Sequence, residues 1–227
     1  MMVGFCVSGK GRLALLAISH RAVLGFTVGL VLLGPSADTK LEQRLSELGI
    51  SFRRLSNARE ERDKQLFELM VLRGVCDYWM LTFDHLIPDS ITQALSNRII
   101  NLHLSLLPSF TGLHALHRSI QGQSLVLGAT CHLVDSTIDG GPIISQFVMP
   151  RRPTLPFENL EEEFAWRVSG LYLQTLRWFI EGRVCFIEQE FRVDVSGSDC
   201  TRLPHVPALE NLVLSILKEL DFSKAPG

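Results

Sequence analysis

No stretch of this 227-residue sequence is apolar for long enough to cross a bilayer. The longest runs, Val28–Leu33 and the segment around Leu125–Leu127, fall far short of the roughly 20 residues a membrane helix needs. Charge of one sign is equally scarce: 22 basic and 24 acidic side chains leave a formal net charge of −2, too weak a field to recruit nucleic acid or an acidic membrane. There is no CxxC pair. The five cysteines (Cys6, Cys76, Cys131, Cys185, Cys200) are odd in number and widely spaced, which argues against a zinc ribbon or disulfide framework and points to a reducing cytoplasm. Repeats and low-complexity linkers are missing as well. The opening Met1–Lys10 lacks a basic leader and breaks at Ser8-Gly9-Lys10-Gly11, so it reads as a first buried strand and not as a signal peptide.

What the sequence does contain is apolar residues, 46% of the chain, in short blocks separated by helical periodicities. Met2–Val7 has no polar alternation and suits a strand covered on both faces. Arg12–His20 has helical spacing, with Leu13, Leu16, Ala17 and His20 on one side. Phe26–Leu33, closed by Gly34-Pro35, predicts a second buried strand. Asp38 is placed to cap a helix that runs to Leu48 and stops at Gly49. Ile50–Leu55 predicts a third strand, Glu60–Arg73 a helix ended by Gly74, Tyr78–Phe83 a fourth strand and Ile99–His103 a fifth. Leu125–Val134 and Pro142–Val148 flank the turn Asp139-Gly140-Gly141 without a full helix between them, a hairpin pattern. Pro156–Gly182 contains a long helix with Phe164, Val168, Leu171, Thr175 and Trp178 at core spacing. From Arg183 the pattern is a strand, a Ser-Gly-Ser loop and a last amphipathic helix near Pro207–Leu220. The expected fold is α/β: a doubly wound, mostly parallel sheet with an antiparallel strand extension at its C-terminal side, its chemistry lying where the carboxyl ends of the strands open.

Two clusters stand out. In Asn101-Leu102-His103-Leu104-Ser105-Leu106-Leu107-Pro108, the amide of Asn101 and the imidazole of His103 are two positions apart and point the same way on a strand end. Acyl transfer needs such a pair: a donor for a developing oxyanion and a group that holds or moves a proton. Taken alone, Asn-x-His reads more plainly as a capped strand end with a satisfied histidine. The second cluster is Gly128–Ile144, whose Asp139-Gly140-Gly141 alone reads as a turn.

Together, and in this order, the two clusters resemble the folate-dependent formyltransferase family typified by glycinamide ribonucleotide transformylase and formyltetrahydrofolate deformylase. That family carries Asn-x-His-x-Ser-(Leu/Phe)-Leu-Pro and, later in the chain, Asp-x-Gly-Pro-Ile-Ile; Asn101–Pro108 and Asp139–Ile144 match both. Gly112-Leu113-His114 looks like a further family segment, and Gly128–Val134 looks most like the deformylase version. The resemblance covers roughly residues 2–190 and implies a formyltransferase fold over 1–189, with 190–227 as a C-terminal extension of unassigned role. It implies 10-formyltetrahydrofolate as formyl donor and a small amine as acceptor, of the amino sugar or modified amino acid type. The formyl group would pass through a tetrahedral intermediate stabilised by Asn101 and His103, with Asp139 assisting proton transfer. Backbone groups of Asp84, His85, Leu86 and Ile87 and of Val134, Asp135, Ser136 and Ile138 would hold the folate. Ser8, Gly9, Lys10, Gly11 and Arg12 would face the acceptor; they stand where the family has a Ser-Gly-x-Gly-Ser-Asn phosphate loop, and Arg12-Leu13 in place of Ser-Asn sets glycinamide ribonucleotide in doubt. No metal is implied, since no carboxylate or cysteine joins His103, His114, His117 and His132 at ligand spacing. Three alternatives stay open: the deformylase, which usually carries an N-terminal regulatory domain where this chain begins at the catalytic pattern; the glycinamide ribonucleotide enzyme; and a non-catalytic folate binder. The expected setting is cytoplasmic, without nucleic acid or membrane partners, and a homodimer is compatible with the tail.

Overall fold

The computed structural model describes residues 1–187, 190–194 and 211–218. They form two compact units: one of residues 1–102 and 133–141, the other of residues 103–132 and the described residues from 142 onward.

The first unit is built on Met2–Val7 (β1), Thr27–Leu33 (β2), Phe52–Arg54 (β3), Tyr78–Thr82 (β4) and Ile99–His103 (β5), whose final residue already belongs to the second unit. All neighbouring pairs among these strands are parallel, in the order β3-β2-β1-β4-β5. Parallel strands are covered on both faces, which explains the unalternated apolar runs: Val3, Phe5, Cys6 and Val7 are fully buried, as are Leu32 and Leu33. One core gathers Cys6, Leu32, Trp79 and Leu81 from the strands with Leu66, Leu69 and Met70 from a helical segment and Ile91 from another.

The helices are Arg12–Ser19 (α1), Arg21–Leu24 (α2), Lys40–Glu47 (α3), Arg59–Leu66 (α4) and Asp89–Ala94 (α5). The expected Asp38 cap is present in effect, since its carboxylate accepts from Lys40 N at 2.9 Å. Three local expectations are corrected. α1 buries Ala14, Ala17 and Ile18 while Leu13 and Leu16 are only half-buried, because small side chains let the helix lie close to the sheet. The third strand is three residues long. The predicted helix to Arg73 runs as α-helix only to Leu66 and continues as a π-helical turn over Phe67–Leu72.

The second unit contains Ala115–Gln121 (α6), the strands Val126–Leu133 (β6) and Ile143–Pro150 (β7), the long helix Glu161–Ile180 (α7), the hairpin Val184–Ile187 (β8) with Glu190–Val193 (β9), and Asn211–Lys218 (α8). β6 and β7 pair antiparallel, as the hairpin pattern predicts, and the sheet order is β3-β2-β1-β4-β5-β6-β7. On α7, Phe164, Val168, Leu171, Thr175 and Trp178 are all buried. α8 packs against α7 through Val213, Ile216 and Leu217. The sequence boundary at 189/190 falls between the paired strands β8 and β9. The Ser-Gly-Ser loop and Cys200 lie outside the described residues. Among the described residues, no helix is long and apolar enough to cross a membrane.

The close approach of β1 to Trp79 shows how tightly the first unit is filled. A Cβ on Gly4 would sit 2.5 Å from the fully buried indole of Trp79. Gly4→Ala is therefore expected to cost about 1–3 kcal/mol through overpacking. Thermal melting followed by tryptophan fluorescence should show Tm lowered by roughly 2–12 °C; an unchanged Tm would contradict this packing.

Candidate active site

In the first unit the sheet order reverses at β1, which has β2 on one side and β4 on the other, and crevices that take ligands open at the carboxyl ends of such strands. The loops there are tied by side chains. Ser8 N donates to Thr82 O at 2.8 Å, and the Ser8 hydroxyl donates to Asp84 Oδ1. The Ser36 hydroxyl donates to Asp84 Oδ2 at 2.6 Å, and Asp84 N donates back to Ser8 Oγ at 3.2 Å. His85 Nε2 lies 3.5 Å from Asp84 Oδ1, its ring edge-on to Phe83 at 5.3 Å. Burial pushes the Asp84 carboxyl up, but the hydroxyls of Ser36 and Ser8 and the neighbouring His85 together outweigh it, and the group sits below its ordinary value.

The loop that carries Ser36 is held in turn by Arg54 on β3. That guanidinium donates to Gly34 O at 3.3 Å and Ala37 O at 3.1 Å, and pairs with Glu42 at 2.5 Å. Gly34 admits no side chain, because a Cβ there would lie 2.8 Å from both the Phe83 ring and Ser8 Oγ. Gly9 and Gly11 each have φ of +61° and shape the turn into α1, with Lys10 and Arg12 exposed beside them. Of the residues expected at the acceptor and folate sides, the structure thus brings Ser8, Asp84 and His85 together. Leu86 is exposed, and Ile87 packs on the core of this unit. Ser36 and Arg54 are the members that sequence reasoning missed; Gly34-Pro35-Ser36 after β2 was the available signal.

The segment 133–141 also belongs to the first unit. Val134 N donates to Ile99 O at 2.9 Å, anchoring it beside β5. Asp135 Oδ1 accepts from Thr137 N at 2.8 Å and from Thr137 Oγ1 at 2.5 Å, an Asx turn that leaves Asp135, Ser136 and Ile138 exposed. Asp139 follows, half-buried and with φ of +51°, a region few residues other than glycine occupy. A Cβ on Gly141 would collide with the Leu133 carbonyl oxygen, so the turn closes only with glycine there.

On β5, Asn101 is half-buried and pairs with Leu81 of β4. His103, buried at the start of the second unit, has Nε2 2.9 Å from Phe110 O. A carbonyl only accepts, so Nε2 carries a hydrogen. The loop that supplies this carbonyl is braced twice. Arg118 donates to Phe110 O at 3.0 Å, Gly112 O at 3.4 Å, Leu113 O at 3.1 Å and Thr111 O. The buried Thr130 hydroxyl donates to Ser105 O at 2.7 Å and accepts from Leu107 N at 3.1 Å, while Gln146 donates to it at 2.9 Å and to Leu107 O at 3.1 Å.

Cys131 lies in the core, as its strand position predicts. Burial pushes its thiol up to about 12 against weaker hydrogen bonds from Thr175 and Ser145, so it is no ready nucleophile. Among the described residues, no group of three or more His, Cys, Asp and Glu side chains is placed to hold a metal ion.

Residues 35–176 match the family described as formyl transferase. The phosphoribosylglycinamide formyltransferase of Haemophilus influenzae is 32% identical over 117 residues, 52% of this chain and 51% of that protein. The formyltetrahydrofolate deformylase of a Corynebacterium species is 29% identical over 139 residues, 60% of this chain and 49% of the relative. The chain thus spans about half the length of these curated relatives. Among solved structures, glycinamide ribonucleotide transformylase 1 from Symbiobacterium toebii superposes with a TM-score of 0.75 at 27% identity, covering 85% of this chain and 93% of that one.

Proposed function

Because this chain belongs to the formyl transferase family, we propose that it transfers a formyl group from 10-formyltetrahydrofolate to an amino group of a small metabolite. The observation that carries the reading is the end of β5, where an amide and an imidazole stand two residues apart on one strand and the imidazole is fixed through Nε2 by Phe110 O. In this reading Asn101 donates its amide hydrogen to the formyl oxygen as negative charge develops on it. His103 donates from protonated Nδ1 to the same oxygen. Asp139 orients His103 and relays the proton released by the attacking amine, directly or through a water, to the folate N10, whose bond to the formyl carbon breaks as the tetrahedral intermediate collapses.

The folate ring is held by the loops 84–87 and 134–138. Both present backbone groups, and each carries an exposed apolar side chain suited to a planar ring, Leu86 at 63% and Ile138 at 59% exposure. Ser8, Gly9, Lys10, Gly11 and Arg12 form the acceptor side. The relatives above are named for glycinamide ribonucleotide or for formyltetrahydrofolate and none for an amino sugar, so the acceptor is proposed only as a small amine.

The second reading is hydrolysis, with water in place of the amine, and the Corynebacterium deformylase match supports it. Calorimetry with the stable analogue 5-formyltetrahydrofolate is expected to show saturable binding under either reading; absence of binding at millimolar ligand would remove both. Tetrahydrofolate release then separates them. At least about tenfold faster release with an amine present is expected for transfer, because an acceptor site must hold the amine and exclude water. Rapid formate production without any amine would decide for the hydrolase.

A further inference from the structure

We propose that Asp84 selects the acceptor: the mouth formed by the loops after β1, β2 and β4 takes a cationic or hydroxyl-bearing amine and rejects a phosphorylated one. The inference rests on the formyl-transfer reading for the word acceptor; the ligand chemistry follows from the side chains alone.

A glycine-shaped turn that opens a helix, flanked by Lys10 and Arg12, has the general form of an anion site. Here the hydroxyl groups that would serve an anion are turned elsewhere. Ser8 donates its hydroxyl hydrogen to one oxygen of Asp84, and Ser36 donates its own to the other at 2.6 Å. What the pair offers outward is therefore not two donors but one carboxylate, 41% exposed and capable of accepting further hydrogen bonds on its remaining lone pairs. Ser8 and Ser36 hold that carboxylate in its ionised form, and His85 beside it adds to the effect. A phosphate brought to this point would meet a fixed negative charge, whereas an ammonium or hydroxyl group would find an acceptor already oriented. Arg54 and Gly34 keep the arrangement rigid from behind, through the Ser36 loop.

Asp84 also joins three loops, and a purely structural role would make its loss a matter of stability without changing which ligand binds. The experiment separates these roles with a matched pair of ligands, ethanolamine and phosphoethanolamine, and with inorganic phosphate, each titrated into the full chain and followed by backbone amide shifts. The wild type is expected to bind ethanolamine in preference to phosphoethanolamine, with shifts at residues 8, 36 and 84. Asp84→Asn, nearly identical in shape, is expected to weaken ethanolamine by about tenfold and to strengthen inorganic phosphate by a similar factor, since one unit charge close to the ligand is removed. Asp84→Glu keeps the charge and should keep the preference, which guards against a variant that fails through folding. Wild-type protein that binds phosphoethanolamine as well as ethanolamine, that binds no ethanolamine, or whose preference survives Asp84→Asn overturns the proposal. None of these titrations requires folate, so their failure is distinct from a failure of folate binding.

Discussion

Asn101→Ala is expected to lower formyl-transfer turnover by about 10²–10³-fold, the usual effect of removing one donor to a developing oxyanion. His103→Ala should cost as much or more, about 10²–10⁴-fold, because the imidazole is assigned proton handling as well as a hydrogen bond. Affinity for 5-formyltetrahydrofolate should be nearly unchanged in both variants, since the folate is assigned to backbone groups of other loops. Steady-state kinetics beside calorimetry gives the required split between turnover and binding. The Asn101→Ala/His103→Ala double variant should fall little further than the worse single one, because groups that act on one transition state do not contribute additively. Turnover within about threefold of wild type in either single variant would remove that residue from the reacting centre. His103→Asn is a useful control: it retains a polar side chain on β5 but has no imidazole to move a proton.

Gly141→Ala is expected to give the second large effect, a loss of about 10²-fold in turnover in a protein that still folds. The methyl group would meet the main-chain carbonyl of Leu133, which is part of β6 and cannot move aside, so the turn that carries Asp139 must change shape. A displacement of about 1 Å of a reacting group commonly costs that much. Gly140→Ala is the internal comparison. Its nearest neighbour is the side chain of Thr137, and the closest other main-chain atom, Ile138 O, lies 3.9 Å away, so the smaller effect is expected there. Equal activity in wild type and Gly141→Ala would show that the position of Asp139 does not govern the reaction.

How far the sequence could be read depended on how each element is stabilised. β5 carries the bounds expected for it, Ile99–His103, because a strand buried on both faces needs an unbroken apolar block and that block was visible. The hairpin of β6 and β7 was legible from the glycine turn between two apolar runs. α5 and α6 were not found: they are six and seven residues long, too short to show a helical period, and α6 is anchored mainly by tertiary contacts at Ala115 and Ser119. The π-helical turn at Phe67–Leu72 has the same composition as a helix and leaves no mark in the pattern. For the site, Asn101 and His103 were accessible because strand alternation relates residues two apart. The Asp84 cluster was not, since it joins residues 76 and 48 positions apart, and no spacing rule reaches that far.

The clamp made by Arg118 bears on how this protein can change over evolutionary time. Its guanidinium donates to four consecutive main-chain carbonyls, from Phe110 to Leu113. Thr111 and Leu113 can therefore drift while the path of the chain, and with it the carbonyl that faces His103, is inherited unchanged, whereas Phe110 and Gly112, with φ of +57° and +80°, answer to backbone conformation as well. The side-chain part of the constraint is concentrated at a single codon. Lysine, the nearest chemical substitute, offers one compact charge in place of a planar fork and cannot reach all four oxygens together. Homologues that keep arginine at this position should tolerate diverse side chains at the positions of Thr111 and Leu113, and those that lose it should carry a loop of different length or course.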